Sequence, residues 1–154
     1  MQNNVIDIII HLIRNIEIGK RLNEVSIDQL KGYDRAEISA AYSWIIQKKE
    51  SGELDTILNR HKKGKKKNAT PHRVLHIAER MMIAPEAYGY LLELLNFGLL
   101  DHIAMERIIE SVMLQSTERI TLDKMKTVVA NVFFEKENNI LNSSFLLKGN
   151  ESIN

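Results

Sequence analysis

Seven cations stand between Arg60 and Arg73 with no acid among them: Arg60, Lys62, Lys63, Lys65, Lys66, Lys67 and Arg73. Cations at this density can neutralise several phosphates and release their counterions, which is the chemistry of salt-sensitive, sequence-blind nucleic-acid binding. Lys48 and Lys49, a short way upstream, extend the candidate contact set. The Lys run holds no interleaved aromatic residue, so it lacks the stacking platform of single-strand binders. Gly64-Lys65 is not a phosphate-binding loop, because the upstream Gly and the following Ser or Thr are missing. A solvated loop on an otherwise acidic protein needs no more than these same residues.

A second constellation is His72, His76 and Glu79. On a helix the two histidines would share a face with the carboxylate one turn on, a three-ligand arrangement for a metal. Arg73 fills the position where a His-Glu-x-x-His protease needs its general base, and no fourth ligand is in view, so neither metal nor cofactor is expected. Glu106 and Glu110 lie four apart with Arg107 beside the first, the pattern of a wet helix side. The chain has no Cys, which removes thiolate catalysis, sulfur-based zinc sites and disulfides. No catalytic constellation emerges, and a non-enzymatic protein is expected.

The elements that must position these residues read as helices. Asp34 followed by Glu37 has the form of a capping box, and Ile38, Ala41, Tyr42, Ile45 and Ile46 recur at helical spacing as far as about Lys49. Arg35, Ser39, Ser43 and Gln47 would face away from that stripe, as in a helix-turn-helix reader with Lys48 and Lys49 on backbone phosphate. The acids at its amino end oppose an approach to DNA, so the helix reads first as scaffold. Before it, Val5, Ile9, Leu12, Ile13 and Ile16 mark one helix face ending near Gly19, and Ser26 can cap a short helix from Ile27 to Lys31.

Apolar periodicity fades after Leu58, and residues 56–71 read as a basic linker or long loop. Arg73-Val74-Leu75 is either a short extended piece or the first turn of a helix running through Glu79. Further helices are expected from Pro85 to Phe97, from the cap Asp101 and from the cap Thr121. After Glu135 the composition turns to Asn, Ser and Gly, and a disordered tail is expected.

The expected fold is all-α: a three-helix lobe over residues 1–55, the linker at 56–71, a second helical lobe over 72–136 and a tail from 137 to 154. A chain of 154 residues accommodates one domain, or two small lobes that share a core. The net charge of +1 conceals an asymmetry. Residues 56–83 carry eight Lys and Arg against one acid, whereas residues 1–55 carry seven against nine and 84–154 six against ten. The apolar amino-terminal stretch is interrupted by Asp7, His11, Arg14 and Glu17, so it is expected to be neither signal peptide nor membrane span, and a cytoplasmic protein follows.

The order and spacing of several segments resemble the bacterial Smg family. They are Gly32-Tyr33-Asp34 through Trp44, Arg73-Val74-Leu75, Gly89-Tyr90-Leu91-Leu92 with Leu99-Leu100-Asp101, Glu106 to Glu110, and Thr121-Leu122-Asp123 through Val129. The likeness spans roughly residues 5 to 135 and brings no Lys run at this position. It implies a cytoplasmic bacterial protein without established activity, substrate or cofactor, whose gene often neighbours one for a DNA-processing protein. The leading expectation is a protein-interaction module that holds an unidentified protein partner on an exposed apolar patch or groove. The alternative is a nucleic-acid-binding protein that uses the Lys-rich segment.

Overall fold

The computed structural model describes residues 2–66 and 73–151. Seven α-helices account for most of them: α1 Gln2–Glu17, α2 Arg35–Glu50, α3 Glu53–Lys66, α4 Ile77–Met82, α5 Pro85–Asn96, α6 His102–Gln115 and α7 Leu122–Glu151. The fold is all-α, as the periodicity predicts.

Helix α1 is the centre of the molecule. Val5, Ile6, Ile8, Ile9, Ile10, Leu12 and Ile13 are all buried, well beyond a single stripe, which is the signature of a helix covered on several sides. Its neighbours are α2 on one side and α7 on another. The β-branched run Ile8-Ile9-Ile10 is therefore helical because packing overrides its strand preference. Gly19 adopts a left-handed φ of +87°. Its N–H donates to the Ile16 carbonyl and that of Lys20 to the Asn15 carbonyl, closing the helix in a Schellman turn.

A 3₁₀ turn, Ile27–Leu30, stands where the short helix is expected, and another, Leu22–Glu24, precedes it. Ser26 does cap the former, accepting from the Asp28 N–H at 3.3 Å. At the start of α2 the Glu37 carboxylate accepts from the Asp34 N–H at 3.1 Å, and Asn4 donates to its other oxygen at 3.0 Å. The second bond explains why a capping carboxylate is buried.

The buried face of α2 is Glu37, Ala41, Trp44, Ile45 and Lys48. The helix is thus turned from the expected stripe: Ile38 and Tyr42 pack at its margin, and Ile46 is exposed. Trp44 decides the rotation by stacking at 40° on Phe133 of α7, with ring centroids 5.7 Å apart.

Gly52, at φ +77°, separates α2 from α3. Helix α3 continues through Lys66, so most of the expected linker is helical. Leu54 and Ile57 anchor its start. Lys and Arg are good helix formers, and cations near a helix C-terminus complement its dipole, so the helix outlasts its apolar stripe.

Residues 73–76 lie outside any helix, His76 is extended, and α4 begins only at Ile77, which rules out a helix from Arg73. Ile83 and Ile120 form a parallel bridge: the Ile120 N–H donates to the Met82 carbonyl and the Ala84 N–H to that of Ile120. Asp101 caps α6 by accepting from the Ala104 N–H at 2.7 Å, and Thr121 caps α7 by accepting from Lys124 at 3.4 Å. Helix α7 runs on through Glu151, over backbone for which no order is expected from composition.

The two expected lobes share one core. A contiguous apolar cluster reaches from Val5 to Phe133, and Lys126 of α7 pairs with Asp7 of α1 at 2.7 Å. Among the described residues no helix is long and apolar enough to cross a membrane.

Candidate functional site

The segment before α4 is held by a polar clamp. The guanidinium of Arg73 donates to both oxygens of Glu79, at 2.8 and 2.6 Å, and its Nε lies 2.5 Å from Glu106 on α6. Glu79 also accepts from the His76 N–H at 2.8 Å, so one carboxylate caps α4 and anchors the arginine. The Tyr88 hydroxyl on α5 donates to the Arg73 carbonyl.

These contacts set the charges. The hydrogen bond from Arg73 holds the Glu79 carboxyl below its ordinary range, and the same bond raises the already high pKa of Arg73. Desolvation pushes the Tyr88 phenol up. The clamp joins one cation to two carboxylates, so the charge of Arg73 is fully met within the fold.

Beside it lies a groove of about 370 Å³ whose lining includes Val74, Leu75, Ile83, Pro85 and Tyr88, with Arg73 and Arg80 contributing the cationic groups. Exposed apolar side chains occur along the segment that lines it. Val74 is 74% exposed, and Ile77 and Met81, four apart on α4, are 75% and 73% exposed. Ile103, one turn before Glu106 on α6, is also exposed. Ile77 and Met81 share one face of α4, and Val74 lines the groove itself, so apolar side chains stand in water on and next to the groove-lining segment.

Two of the expected cationic contacts are already engaged within the fold. Arg73 is committed to Glu79 and Glu106. Lys48 is only 6% exposed, with its ammonium 2.7 Å from Glu53 and 5.5 Å from the Trp44 ring. Neither therefore stands open to phosphate. Lys49, Arg60 and Lys62 are exposed, and Lys63, Lys65 and Lys66 lie on the last turns of α3. Lys67 falls outside the described residues.

The metal-like trio is not assembled on a helix. His72 falls outside the described residues, His76 is the residue before α4, and Glu79 is engaged by Arg73. Arg35, Ser39, Ser43 and Gln47 are exposed along α2. The element before them is a single 3₁₀ turn rather than the first helix of a helix-turn-helix.

Sequence reasoning missed the clamp. Glu79, Tyr88 and Glu106 stand 6, 15 and 33 residues from Arg73, and no period links them. Ile77 and Met81 do sit at helical spacing, but only the fold shows that this stripe faces water.

The family described as "Protein of unknown function (DUF494)" matches residues 5–151. A protein of Nitrosococcus oceani named "Protein Smg homolog" is 25% identical over 143 residues, covering 86% of this chain and 83% of that relative. No solved structure matches the chain. With a match over nearly its whole length, in agreement with the motifs from Gly32 to Val129, the chain belongs to the Smg family of DUF494 proteins.

Proposed function

We propose that this chain is a non-enzymatic protein-interaction module of the bacterial cytoplasm, which holds a partner segment in the groove beside α4. The observation that carries this reading is the exposure of Val74, Ile77 and Met81 next to an apolar groove whose backbone is clamped by Arg73 and Tyr88. A clamped groove is preorganised, so a partner would not have to order it. The partner's chemistry follows from charge. Arg80 lines the groove and is exposed, so the matching segment combines apolar side chains with a carboxylate.

The test places a photo-activated crosslinker at Ile77 in the native host, with lysates treated with nuclease. The expected result is a discrete protein adduct that resists nuclease and falls by about tenfold when Val74→Asp and Met81→Asp are added. An adduct pattern indifferent to those two changes, or one erased by nuclease, would overturn the assignment.

A second reading is nucleic-acid binding by α3. It is supported by exposed Arg60 and Lys62 on a helix that carries Lys63, Lys65 and Lys66 onward. It predicts retention on DNA or RNA at low salt that weakens steeply as salt rises and is lost when Lys62, Lys63, Lys65, Lys66 and Lys67 become Gln. Unchanged retention in that variant excludes α3 as the contact.

A further inference from the structure

We infer that a second site, the cleft where α2, α3 and α7 meet the Gly98 turn, binds a small phosphate ester that carries a flat ring. The cleft measures about 230 Å³, below the range of drug-sized pockets and suited to one ring with its anionic group. It lies apart from the groove beside α4 and shares none of that groove's lining residues.

One wall is aromatic. Trp44 and Phe133 are tilted against each other at 5.7 Å, and Phe134 meets Phe133 edge-on at 5.3 Å, so the ring surface is fixed by packing. Ile57 and Leu99 add apolar contact. Trp44 is 8% exposed, and its Nε1–H is buried with no acceptor among the described residues. That donor lies beneath the surface, so the indole offers the cleft ring carbon rather than a hydrogen bond.

The opposite wall is cationic. Lys48 is already matched by Glu53 at 2.7 Å, which leaves Arg60 and Lys136 to face a ligand. Arg60 has no carboxylate partner among the described residues. Its stem runs along the Gly98 turn, where a Cβ would stand 3.6 Å from Arg60 Cδ and where φ of +70° favours glycine. Lys136 touches Asp101 at 3.2 Å, but this pair is exposed and contributes little, and the other Asp101 oxygen is held by the α6 cap. Two cations above an aromatic wall match the charge of about −2 on a phosphate monoester near neutral pH. A guanidinium can also engage two phosphate oxygens together.

The same chemistry is carried by a free small phosphate and by the 5′ end of a nucleic-acid strand, and the assay separates them. Trp44 is the chain's single tryptophan, so its fluorescence reports on this cleft. The full-length chain is titrated at low salt with phenyl phosphate, adenosine monophosphate and a 5′-phosphorylated oligonucleotide. Phenol, adenosine and inorganic phosphate serve as partial probes. The expected result is saturable fluorescence change with at least one ring-bearing phosphate, and binding of the partial probes weaker by about tenfold or more. Arg60→Gln and Lys136→Gln should each weaken binding by about tenfold, while Lys31→Gln, on a remote exposed cation, should not.

An oligonucleotide that binds about tenfold tighter than the monophosphate would identify a strand end as the natural source. Comparable affinities would identify a free phosphate. Absence of saturable change with every ring-bearing phosphate, inorganic phosphate binding equally well, or indifference to both substitutions in variants with wild-type melting temperatures would overturn the inference.

Discussion

Replacing Arg73 with Ala tests whether the clamp is an energetic unit or a surface ornament. The two bonds to Glu79, at 2.8 and 2.6 Å, join side chains that are 28% and 14% exposed. Charge-assisted bonds in such shelter contribute about 1.5–3 kcal/mol together with the carboxylate they satisfy, and truncation leaves Glu79 partly buried and unpaired. Glu106, 53% exposed, should contribute less than about 1 kcal/mol despite its 2.5 Å contact, because solvent screens it. The expected cost of Arg73→Ala is therefore about 2–3 kcal/mol. In urea unfolding followed by circular dichroism, that is a midpoint shift of roughly 1 M.

A double-mutant cycle separates the partners. Arg73 with Glu79→Gln should couple by about 1.5 kcal/mol or more, and Arg73 with Glu106→Gln by less than about 0.5 kcal/mol. The sign of the pH dependence follows from Glu79, whose folded pKa lies below its ordinary 4.5. Its stabilisation is complete above the unfolded value and is lost as pH falls through the lower folded value. The gap between wild type and Arg73→Ala should narrow in acid. Equal couplings for the two glutamates, or a gap that does not change with pH, would refute the reasoning.

Three further outcomes are expected. Burial raises the Tyr90 phenol well above its usual value, so stability should decline as pH rises beyond the unfolded pKa of about 10, and Tyr90→Phe should flatten that alkaline limb in thermal melts. Because the Tyr90 hydroxyl has no partner among the described residues, the same variant should be within about 0.5 kcal/mol of wild type at neutral pH, or more stable. Lys48→Ala should lower stability by about 1–2 kcal/mol, while Lys48→Met, which keeps the apolar stem against Trp44, should recover at least half of that loss in urea unfolding. Gly98→Ala should cost about 1 kcal/mol through its φ of +70°, measured as a lower melting temperature.

Local signals in the sequence located most helix starts. Glu37 behind Asp34, Asp101 before α6 and Thr121 before α7 all act as expected, because a cap depends on residues within one turn. Facing directions were less legible. Helix α2 carries apolar residues at 38, 42 and 46 as well as at 41, 44 and 45, and only Phe133, some ninety residues away, selects between the two stripes. Helix α3 outran its apolar pattern because propensity continued where burial stopped. At the candidate sites the limit was sharper. Val74, Arg73 and Lys48 were visible as residue types, but whether each is open, neutralised or buried depends on Glu79, Glu106, Glu53 and Trp44, which sequence spacing does not connect.

The burial of α1 against α7 also dictates the order in which the molecule can complete itself. Asp7 and Lys126 are separated by 119 residues, so α1 packs on α2 early, and the part of its covering that α7 supplies becomes available only after residue 126 has emerged from the ribosome. Until then the flank of α1 that carries Asp7 lacks its α7 neighbour, and a nascent chain halted before residue 126 exposes surface that the finished protein hides. Docking of α7 against α1, α5 and α6 is thus what completes the shared core.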